Sequence, residues 1–244
     1  MAIYKTRRGA RNYGISVGIL QLDCSLPFIP GDVDNADTYD FPVIYKVVPG
    51  LSTKACLAGA PELARAAVET ALELEKQGVR AISSDCGFML QFQAAVREAV
   101  KIPVCMSSLL QLPLIAASLA PARPIAVITA DSSNLTPQFL ARNGITTANS
   151  LIIRGLQDKP EFKTAVFDEK GSIDADKVEA EVVSTVRDIV REAPDLGAIL
   201  FECSMLPPYA RAVQDAVGLP VFDFVTMINH LHAATHQQRY AGAY

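Results

Sequence analysis

Two cysteines of this sequence lie in similar surroundings. An offset of 117 residues separates Cys86 from Cys203, each follows a short apolar run, and an acidic residue directly precedes each thiol. A thiolate can remove a proton from a carbon atom, and a thiol can return a proton to it. Two cysteines on opposite sides of one carbon could therefore invert its configuration by acid–base catalysis, if the fold brings them together.

These surroundings are part of an internal repeat. The stretches 78–104 and 196–221 align at the same offset and without a gap, from residues 79 and 196 onward. The matched pairs are Ala81 and Ala198, Ile82 and Ile199, Ala95 and Ala212, Val96 and Val213, Ala99 and Ala216, Val100 and Val217, Pro103 and Pro220, and Val104 and Val221. A period of this length is too long for a solenoid, so we predict two similar α/β halves.

The elements around the repeat indicate the fold class. We expect strands at residues 15–22 and 125–130, and amphipathic helices at 61–77 and 174–193, where apolar residues recur on one face. Strands that alternate with helices of this length form parallel sheets with helices on both faces. The predicted fold is therefore α/β, with two pseudo-symmetric lobes, each built on a mostly parallel sheet, and an active site in the cleft between them.

Three further segments connect these elements. Residues 25–59 are interpreted as a non-repeating insert that contains a strand at 41–48, and the counterpart of this strand is expected at 150–154. The polar run at 157–172 is interpreted as a surface loop. A terminal helix is expected at 225–238.

The two repeat cysteines are the candidate catalytic residues. In open parallel sheets, ligands bind beyond the carboxyl ends of the strands, and Cys86 and Cys203 each close a strand at that edge. A helix that begins just after each thiol should lower the pKa of at least one of them. The other cysteines, Cys24, Cys56 and Cys105, are assigned to packing, because cysteine is among the most buried residue types.

Polar residues at the same edge are candidates for substrate binding. Ser107 and Ser108 follow a strand, and Ser204 follows the second cysteine; each hydroxyl could donate to a substrate carboxylate or cap a helix. Asp85 and Glu202 precede the cysteines, but neighbouring side chains in a strand point to opposite faces. The two acids are therefore left outside the candidate site.

The motifs around the cysteines resemble those of the aspartate/glutamate/hydantoin racemase superfamily of cofactor-independent racemases, and the resemblance spans nearly the whole chain. Members typically have Gly-Cys-Thr and then an apolar stretch with proline, where this sequence has Glu202-Cys203-Ser204-Met205-Leu206-Pro207. Amino-acid racemases often have Cys-Asn-Thr as the first motif, and Cys86-Gly87-Phe88 departs from it. The departure weakens a glutamate or aspartate assignment more than it weakens the family.

The resemblance implies a set of roles and boundaries. One cysteine from each domain faces the cleft, and the helix after each half's last strand crosses to the other domain, so that the terminal helix packs on the first. The first lobe would then comprise residues 1–106 plus 225–244, and the second lobe would comprise residues 107–224. An acidic residue often follows the first strand in the family, which implies a substrate-binding role for Asp23 and its counterpart Asp131. Gly87 and Phe88 occupy the motif beside the first cysteine, and the family suggests a homo-oligomer, most simply a dimer.

Composition and motifs narrow the class of protein. The chain has 244 residues and a formal net charge of −4, and no basic patch suggests nucleic acid. Residues 102–122 are uncharged but contain prolines and serines, and so predict a buried strand and helix rather than a membrane span. No dinucleotide, P-loop, pyridoxal or metal motif is present. We expect a small-molecule substrate, no cofactor, no metal, no membrane partner and a cytoplasmic location.

Together these features predict a cofactor-independent racemase or epimerase. It would invert a carbon acid, such as aspartate, glutamate or a hydantoin-type derivative, by proton transfer between two thiols. Three alternatives stay open: a decarboxylase or cis–trans isomerase of the same superfamily, a small-molecule binding protein, and a redox sensor in which Cys86 and Cys203 form a disulfide.

Overall fold

Two four-stranded parallel sheets form the framework of the computed structural model, which describes residues 3–10 and 12–242. The strands are β1 (Val17–Gln21), β2 (Val43–Val47), β3 (Ala81–Ser84), β4 (Val104–Cys105), β5 (Ile125–Thr129), β6 (Leu151–Gly155), β7 (Ala198–Phe201) and β8 (Val221–Phe222). The strand orders are β2-β1-β3-β4 and β6-β5-β7-β8, and every pairing among the described residues is parallel. The predicted two-lobed α/β fold is confirmed.

Helices connect these strands. They are α1 (Thr53–Ala58), α2 (Ala64–Gln77), α3 (Gln93–Ala99), α4 (Leu112–Ser118), α5 (Pro137–Arg142), α6 (Pro160–Val166), α7 (Ala175–Glu192), α8 (Ala210–Val217) and α9 (Phe224–Thr235). Short 3-10 helices cover Ala36–Thr38, Pro61–Leu63, Gly87–Phe92, Ser108–Gln111 and Pro207–Tyr209. The predicted helices at 61–77 and 174–193 form, the first ending at Gly78 with φ of 108° and the second beginning after the N-cap Asp174.

The internal repeat extends to the whole framework. Strands β3 and β4 precede β7 and β8 by 117 residues, whereas β1 and β2 precede β5 and β6 by 108. The connection between the first two strands is therefore equally long in both halves, and the interpretation of 25–59 as a non-repeating insert is wrong. The interpretation relied on the lack of sequence similarity between the two connections. The strand positions show that the two connections have the same length although their residues differ. The strands expected at 41–48 and 150–154 are β2 and β6.

The composition of the polar segment at 157–172 predicted a surface loop, and this prediction is wrong. It contains helix α6, on which Phe162, Ala165 and Val166 are buried. These positions are spaced i, i+3 and i+4, which places them on one face of a helix. A single turn of such spacing is too short to stand out among the surrounding charged residues.

The terminal helix packs on the first sheet. Phe224 and Ile228 of α9 share a buried cluster with Val17, Ile19 and Ala81 of β1 and β3. This contact agrees with the crossing that the family resemblance implied, while the residue boundaries of the two lobes stay a prediction. None of the described helices is long and apolar enough to cross a membrane.

Candidate active site

A cavity lies where strands of both lobes end. Residues just beyond β1 and β3 form one wall, residues just beyond β5 and β7 form the other, and the sulfur-bearing residues Cys86 and Cys203 both line it. The empty space amounts to about 500 Å³, including the mouth of the cleft. The position agrees with the general location of ligand sites in parallel sheets.

The two cysteines have equivalent local settings. Cys86 follows β3 and is the N-cap of the 3-10 helix Gly87–Phe92, and Cys203 follows β7 shortly before the 3-10 helix Pro207–Tyr209. The backbone N–H of Phe88 acts to lower the pKa of Cys86, and that of Met205 acts to lower the pKa of Cys203. Both lobes thus present a thiol at the same point of the fold.

Other causes outweigh these backbone groups. The hydrogen bond with Cys56, followed by burial, raises the pKa of Cys86 well above its usual value. Burial, followed by the nearby Glu202, raises the pKa of Cys203. The expectation that a helix start lowers the pKa of one thiol is therefore wrong, because the hydrogen bond with Cys56 at Cys86 and desolvation at both thiols outweigh the effect of the short helices.

Two cysteines that were assigned to packing alone belong to this region. Cys24 lines the cavity, and burial raises its pKa to about 12. The Sγ atom of Cys56 lies 3.8 Å from the Sγ atom of Cys86. Cys105 lies at the end of β4, outside the cavity lining. Sequence alone gives no sign of the contact between Cys56 and Cys86, because 30 residues separate them.

The acids that precede the cysteines also line the cavity. Asp85 is 5% exposed and Glu202 is 1% exposed. Asp85 Oδ2 accepts a hydrogen bond from the backbone N–H of Leu22 at 2.7 Å, and Glu202 Oε2 accepts one from Thr129 Oγ1 at 2.7 Å. Within the described part of the chain, Asp85 Oδ1 and Glu202 Oε1 have no hydrogen-bond partner.

Burial is the main cause of unusual pKa values at both acids. It raises the pKa of Asp85 well above its usual value, with a further contribution from Asp34, and it raises the pKa of Glu202 to about 7. The acids were left out because strand neighbours point to opposite faces, but β3 and β7 end at Ser84 and Phe201, one residue before them. The usable signal was the recurrence of an acid directly before each repeat cysteine.

Gly87 allows the two lobes to approach each other. A Cβ atom at this position would overlap Glu202 Oε1 and would lie 2.5 Å from the Glu202 carbonyl oxygen. Any larger residue would therefore push the second lobe away from the first. Phe88 and Ser204 also line the cavity, and the Ser204 hydroxyl donates to the Asp85 carbonyl oxygen of the other lobe.

The two predicted aspartates lie outside the cavity lining. Asp23 is exposed in the loop after β1, where its neighbours Leu22 and Cys24 line the cavity instead. Asp131 accepts hydrogen bonds from the backbone N–H and the hydroxyl of Ser133 at 2.8 and 2.6 Å, and so organises the turn after β5. Neither aspartate is therefore placed to bind a ligand in this cavity.

Ser107 and Ser108 also lie outside the lining, and their hydroxyls have other partners. Ser107 Oγ accepts from the backbone N–H of Leu109 at 3.2 Å and caps a 3-10 helix, which was the alternative reading. Ser108 Oγ donates to the carbonyl oxygen of Phe201 in the second sheet at 2.8 Å. Both residues support the site by holding its backbone rather than by reaching into the cavity.

The charge of the lining is one-sided. Asp85 and Glu202 are its acidic residues, and no lysine, arginine or histidine is among the described residues that line it. The rest is mainly apolar and aromatic, with Leu26, Phe28 and Phe167 as examples. No cluster of three or more metal-binding side chains occurs in the described ranges.

Comparison with known sequences identifies close relatives. No protein-family model matches the chain. Dimethylsulfoniopropionate lyase 7 of Emiliania huxleyi (strain CCMP1516) is 37% identical over 229 residues, which are 90% of this chain and 67% of that protein. The dimethylsulfoniopropionate lyase of Durusdinium sp. clade D is 36% identical over 217 residues, covering 86% and 71%. The chain covers 59% of another relative, dimethylsulfoniopropionate lyase 3 of Emiliania huxleyi (strain CCMP1516).

Comparison with solved structures shows the fold. An allantoin racemase from Pseudomonas fluorescens aligns with a TM-score of 0.63 at 13% identity, over 93% of this chain and 100% of that chain. Unliganded arylmalonate decarboxylase aligns with a TM-score of 0.58 at 18% identity, over 93% and 96%. The shared two-lobed fold confirms the resemblance to the racemase superfamily. The sequence relatives show that the chain belongs to the dimethylsulfoniopropionate lyase family.

Proposed function

We propose that the protein is a carbon–sulfur lyase that acts on dimethylsulfoniopropionate. The names of its sequence relatives suggest the substrate. The observation that carries the proposal is the composition of the cavity, which combines two thiols and two carboxyl groups with no cationic side chain among the described lining residues. Such a cavity suits a substrate with a positive charge and an acidic C–H bond.

The lining matches the sulfonium end of this substrate in two ways. A dimethylsulfonium group is a cation surrounded by methyl groups, so it gains from apolar and aromatic contacts such as Phe28 and Phe167. The carboxyl groups of Asp85 and Glu202 add negative charge when ionised. An amino acid carries a strongly hydrated ammonium group, which this largely apolar lining serves less well.

The reaction follows from the position of the thiols. We propose that the Cys86 thiolate removes a proton from the carbon next to the substrate carboxylate. The C–H electron pair forms a double bond to the neighbouring carbon, the C–S bond breaks, and its electron pair leaves on sulfur. The products are dimethyl sulfide and acrylate, and the proton passes from Cys86 to water. Cys203 is 8% exposed on the opposite wall, and as a neutral thiol it can donate to the carboxylate as charge accumulates there.

Replacing the base tests this proposal. Cys86→Ala should lower the release of dimethyl sulfide by a factor of ~10²–10⁴, the range for one general base. Cys203→Ala should lower kcat by a smaller factor, because it removes a hydrogen-bond donor rather than the base. Headspace gas chromatography measures dimethyl sulfide, and proton NMR measures acrylate.

Cys105→Ala is the matched control, since it removes a half-buried thiol of the first lobe outside the cavity. It should keep the activity of the parent. A parent enzyme that releases no dimethyl sulfide, or a Cys86→Ala enzyme as active as the parent, would contradict the proposal.

A racemase is the second candidate, and the symmetric placement of the two cysteines favours it. Inversion needs one acid and one base, so either Cys86→Ala or Cys203→Ala should abolish it. Aspartate, glutamate, hydantoins and allantoin incubated in deuterated water would become deuterated at the α-carbon. Deuteration without dimethyl sulfide release would favour the racemase, and the reverse would favour the lyase.

A further inference from the structure

A second thiol contacts Cys86 from outside the cavity lining. Cys56 in helix α1 is 1% exposed, and its Sγ atom lies 3.8 Å from the Sγ atom of Cys86, within the range of a hydrogen bond between sulfurs. Thr53 and Leu57 of the same helix line the cavity, whereas Cys56 is not among the described residues that do. Cys56 can therefore act on Cys86 without touching a ligand in the cavity.

One glutamine fixes the position of this second thiol. Gln91 Nε2 donates to the carbonyl oxygens of Cys56 and Phe88, each at 3.0 Å. It also lies 3.9 Å from the Cys56 sulfur. Gln91 belongs to the 3-10 helix that begins after Cys86, so this side chain ties helix α1 to the segment that carries the proposed base.

We propose that Cys56 is a positioning residue: Cys56 and Cys86 form a thiol pair that shares a single proton once one proton is lost, and the Cys56 thiol donates to the Cys86 thiolate. The inference rests on the proposed role of Cys86 as the base. It adds Cys56 as a hydrogen-bond donor that supports ionisation of this base. Because Cys56 is not among the described lining residues, the cavity stays free for the substrate.

The charged groups around Cys86 make its hydrogen bond with Cys56 important for forming a thiolate. The groups that face Cys86 are Asp85, Glu202 and Cys203, and all of them oppose a thiolate when they are ionised. A cation, Arg142 of helix α5, lines the separate pocket on the far side of Cys56. A thiolate inside this cavity therefore depends on hydrogen-bond donors, and Cys56 is placed to be one.

The raised pKa of Cys86 belongs to the second proton of the pair. The hydrogen bond with Cys56 is the largest cause of the raised pKa, which describes Cys86 holding the proton that is left after the first is lost. When Cys86 is the group that loses the first proton, the same contact lets the Cys56 thiol donate to it.

The rate at which iodoacetamide modifies Cys86 tests the pair. The measurement uses reduced, oxygen-free protein from pH 6 to pH 10, and mass spectrometry reads the modified peptide. In Cys56→Ala the thiolate loses a donor, so the midpoint of the profile should rise by about one pH unit and modification at pH 7 should slow about tenfold. In Cys56→Ser the hydroxyl can still donate, and the profile should stay close to that of the parent.

Cys105→Ala again controls for loss of a thiol elsewhere in the first lobe, and its profile should match the parent. A Cys56→Ala profile that also matches the parent would overturn the inference, as would a Cys56→Ser profile displaced as far as that of Cys56→Ala. The pH dependence of kcat/KM for dimethyl sulfide release should move with the modification profile, while KM stays within about twofold. A displaced modification profile in an enzyme that releases no dimethyl sulfide would keep the thiol pair and reject the proposed function.

Discussion

Glu202 is a carboxyl group held almost entirely away from water. One of its oxygens accepts from Thr129, and the other faces Gly87 without a hydrogen-bond partner in the described structure. A cavity residue in this state is costly to ionise, because neither a cation nor solvent compensates the charge. The cost is retained because the same position faces the space that we propose for a cationic substrate.

This cost should be visible in the stability of the protein. Burial raises the pKa of Glu202 from 4.5 to about 7, so the folded state binds this proton more tightly than the unfolded state does. The stabilisation is fully present below pH 4.5 and is lost as the pH rises through 7. Relative to Glu202→Gln, the parent should lose about 3 kcal/mol of unfolding free energy between pH 4.5 and pH 8.

Urea unfolding at a series of pH values measures this difference. Glu69→Gln is the control, because Glu69 is an exposed partner of Arg65 on helix α2 and should leave the pH dependence unchanged. Parallel stability curves for the parent and Glu202→Gln would show that Glu202 ionises as easily in the folded state as in the unfolded state.

Sequence reasoning at the residue scale succeeded where the signal was local. Cys86 and Cys203 were identified from a gapless repeat, and both line the cavity. Cys56 was missed because its role depends on a contact with a residue 30 positions away. Asp131 was selected for its place after a strand, but Ser133 and Asn134 of the same turn donate hydrogen bonds to its oxygens. The position of a residue along the chain predicted that it lies at the edge of a sheet, but it did not predict the direction in which its side chain points.

At the scale of elements, helix α9 depends on its first turn. Asp223 accepts a hydrogen bond from the backbone N–H of Thr226 at 2.7 Å, and Thr226 Oγ1 accepts one from the backbone N–H of Asp223 at 2.9 Å. This capping box orients the helix so that Phe224 and Ile228 cover one face of the first sheet.

Removing the cap should weaken the first lobe. Asp223→Ala should lower the free energy of unfolding by about 1–2 kcal/mol, because the first backbone N–H groups of α9 lose their acceptor. Asp223→Asn keeps an acceptor oxygen and should lose only a few tenths of that amount. Chemical unfolding followed by circular dichroism measures both. Equal losses in the two variants would mean that the charge of Asp223 matters, and not the cap.

Elements with strong signals were predictable, and short ones were not. Helix α7 has 18 residues, an aspartate cap and a regular apolar face, and its bounds were expected within one residue. Helix α6 has seven residues, and its sequence was interpreted as a loop. A helix of that length is stable because it packs Phe162 into the second lobe, which is information that only the folded chain contains.

At the scale of the whole molecule, hydrogen bonds from two serines link each sheet to the segment that follows the other. The Ser108 hydroxyl follows the first sheet and donates to Phe201 in the second, while the Ser204 hydroxyl follows the second sheet and donates to Asp85 beyond the first. Each bond ends at a backbone carbonyl within two residues of a catalytic candidate. The width of the cleft is therefore set by the same segments that carry the chemistry. Assembly into a homo-oligomer stays a prediction.

Loss of one of these bonds should affect both stability and activity. Ser108→Ala should lower the free energy of unfolding by about 1–2 kcal/mol, because the buried carbonyl of Phe201 loses a donor. It should also raise KM for dimethylsulfoniopropionate, since the end of β7, from which Glu202 and Cys203 extend, is held less firmly. Ser118→Ala is the matched control: this exposed hydroxyl donates to Ile115 within its own helix. An unchanged KM with reduced stability would limit Ser108 to a purely structural role.

The packing of α9 has a consequence for the order in which the protein can be made. The helix lies downstream of the whole second sheet, yet it covers a face of the first. As the chain leaves the ribosome, β5 to β8 and their helices are available before the segment that completes the first lobe. The half that is synthesised later can therefore finish folding earlier, and the earlier half keeps one apolar face open until α9 has left the ribosome and packed on it. During that interval the face formed by Val17, Ile19 and Ala81 is exposed apolar surface of the kind from which aggregation begins.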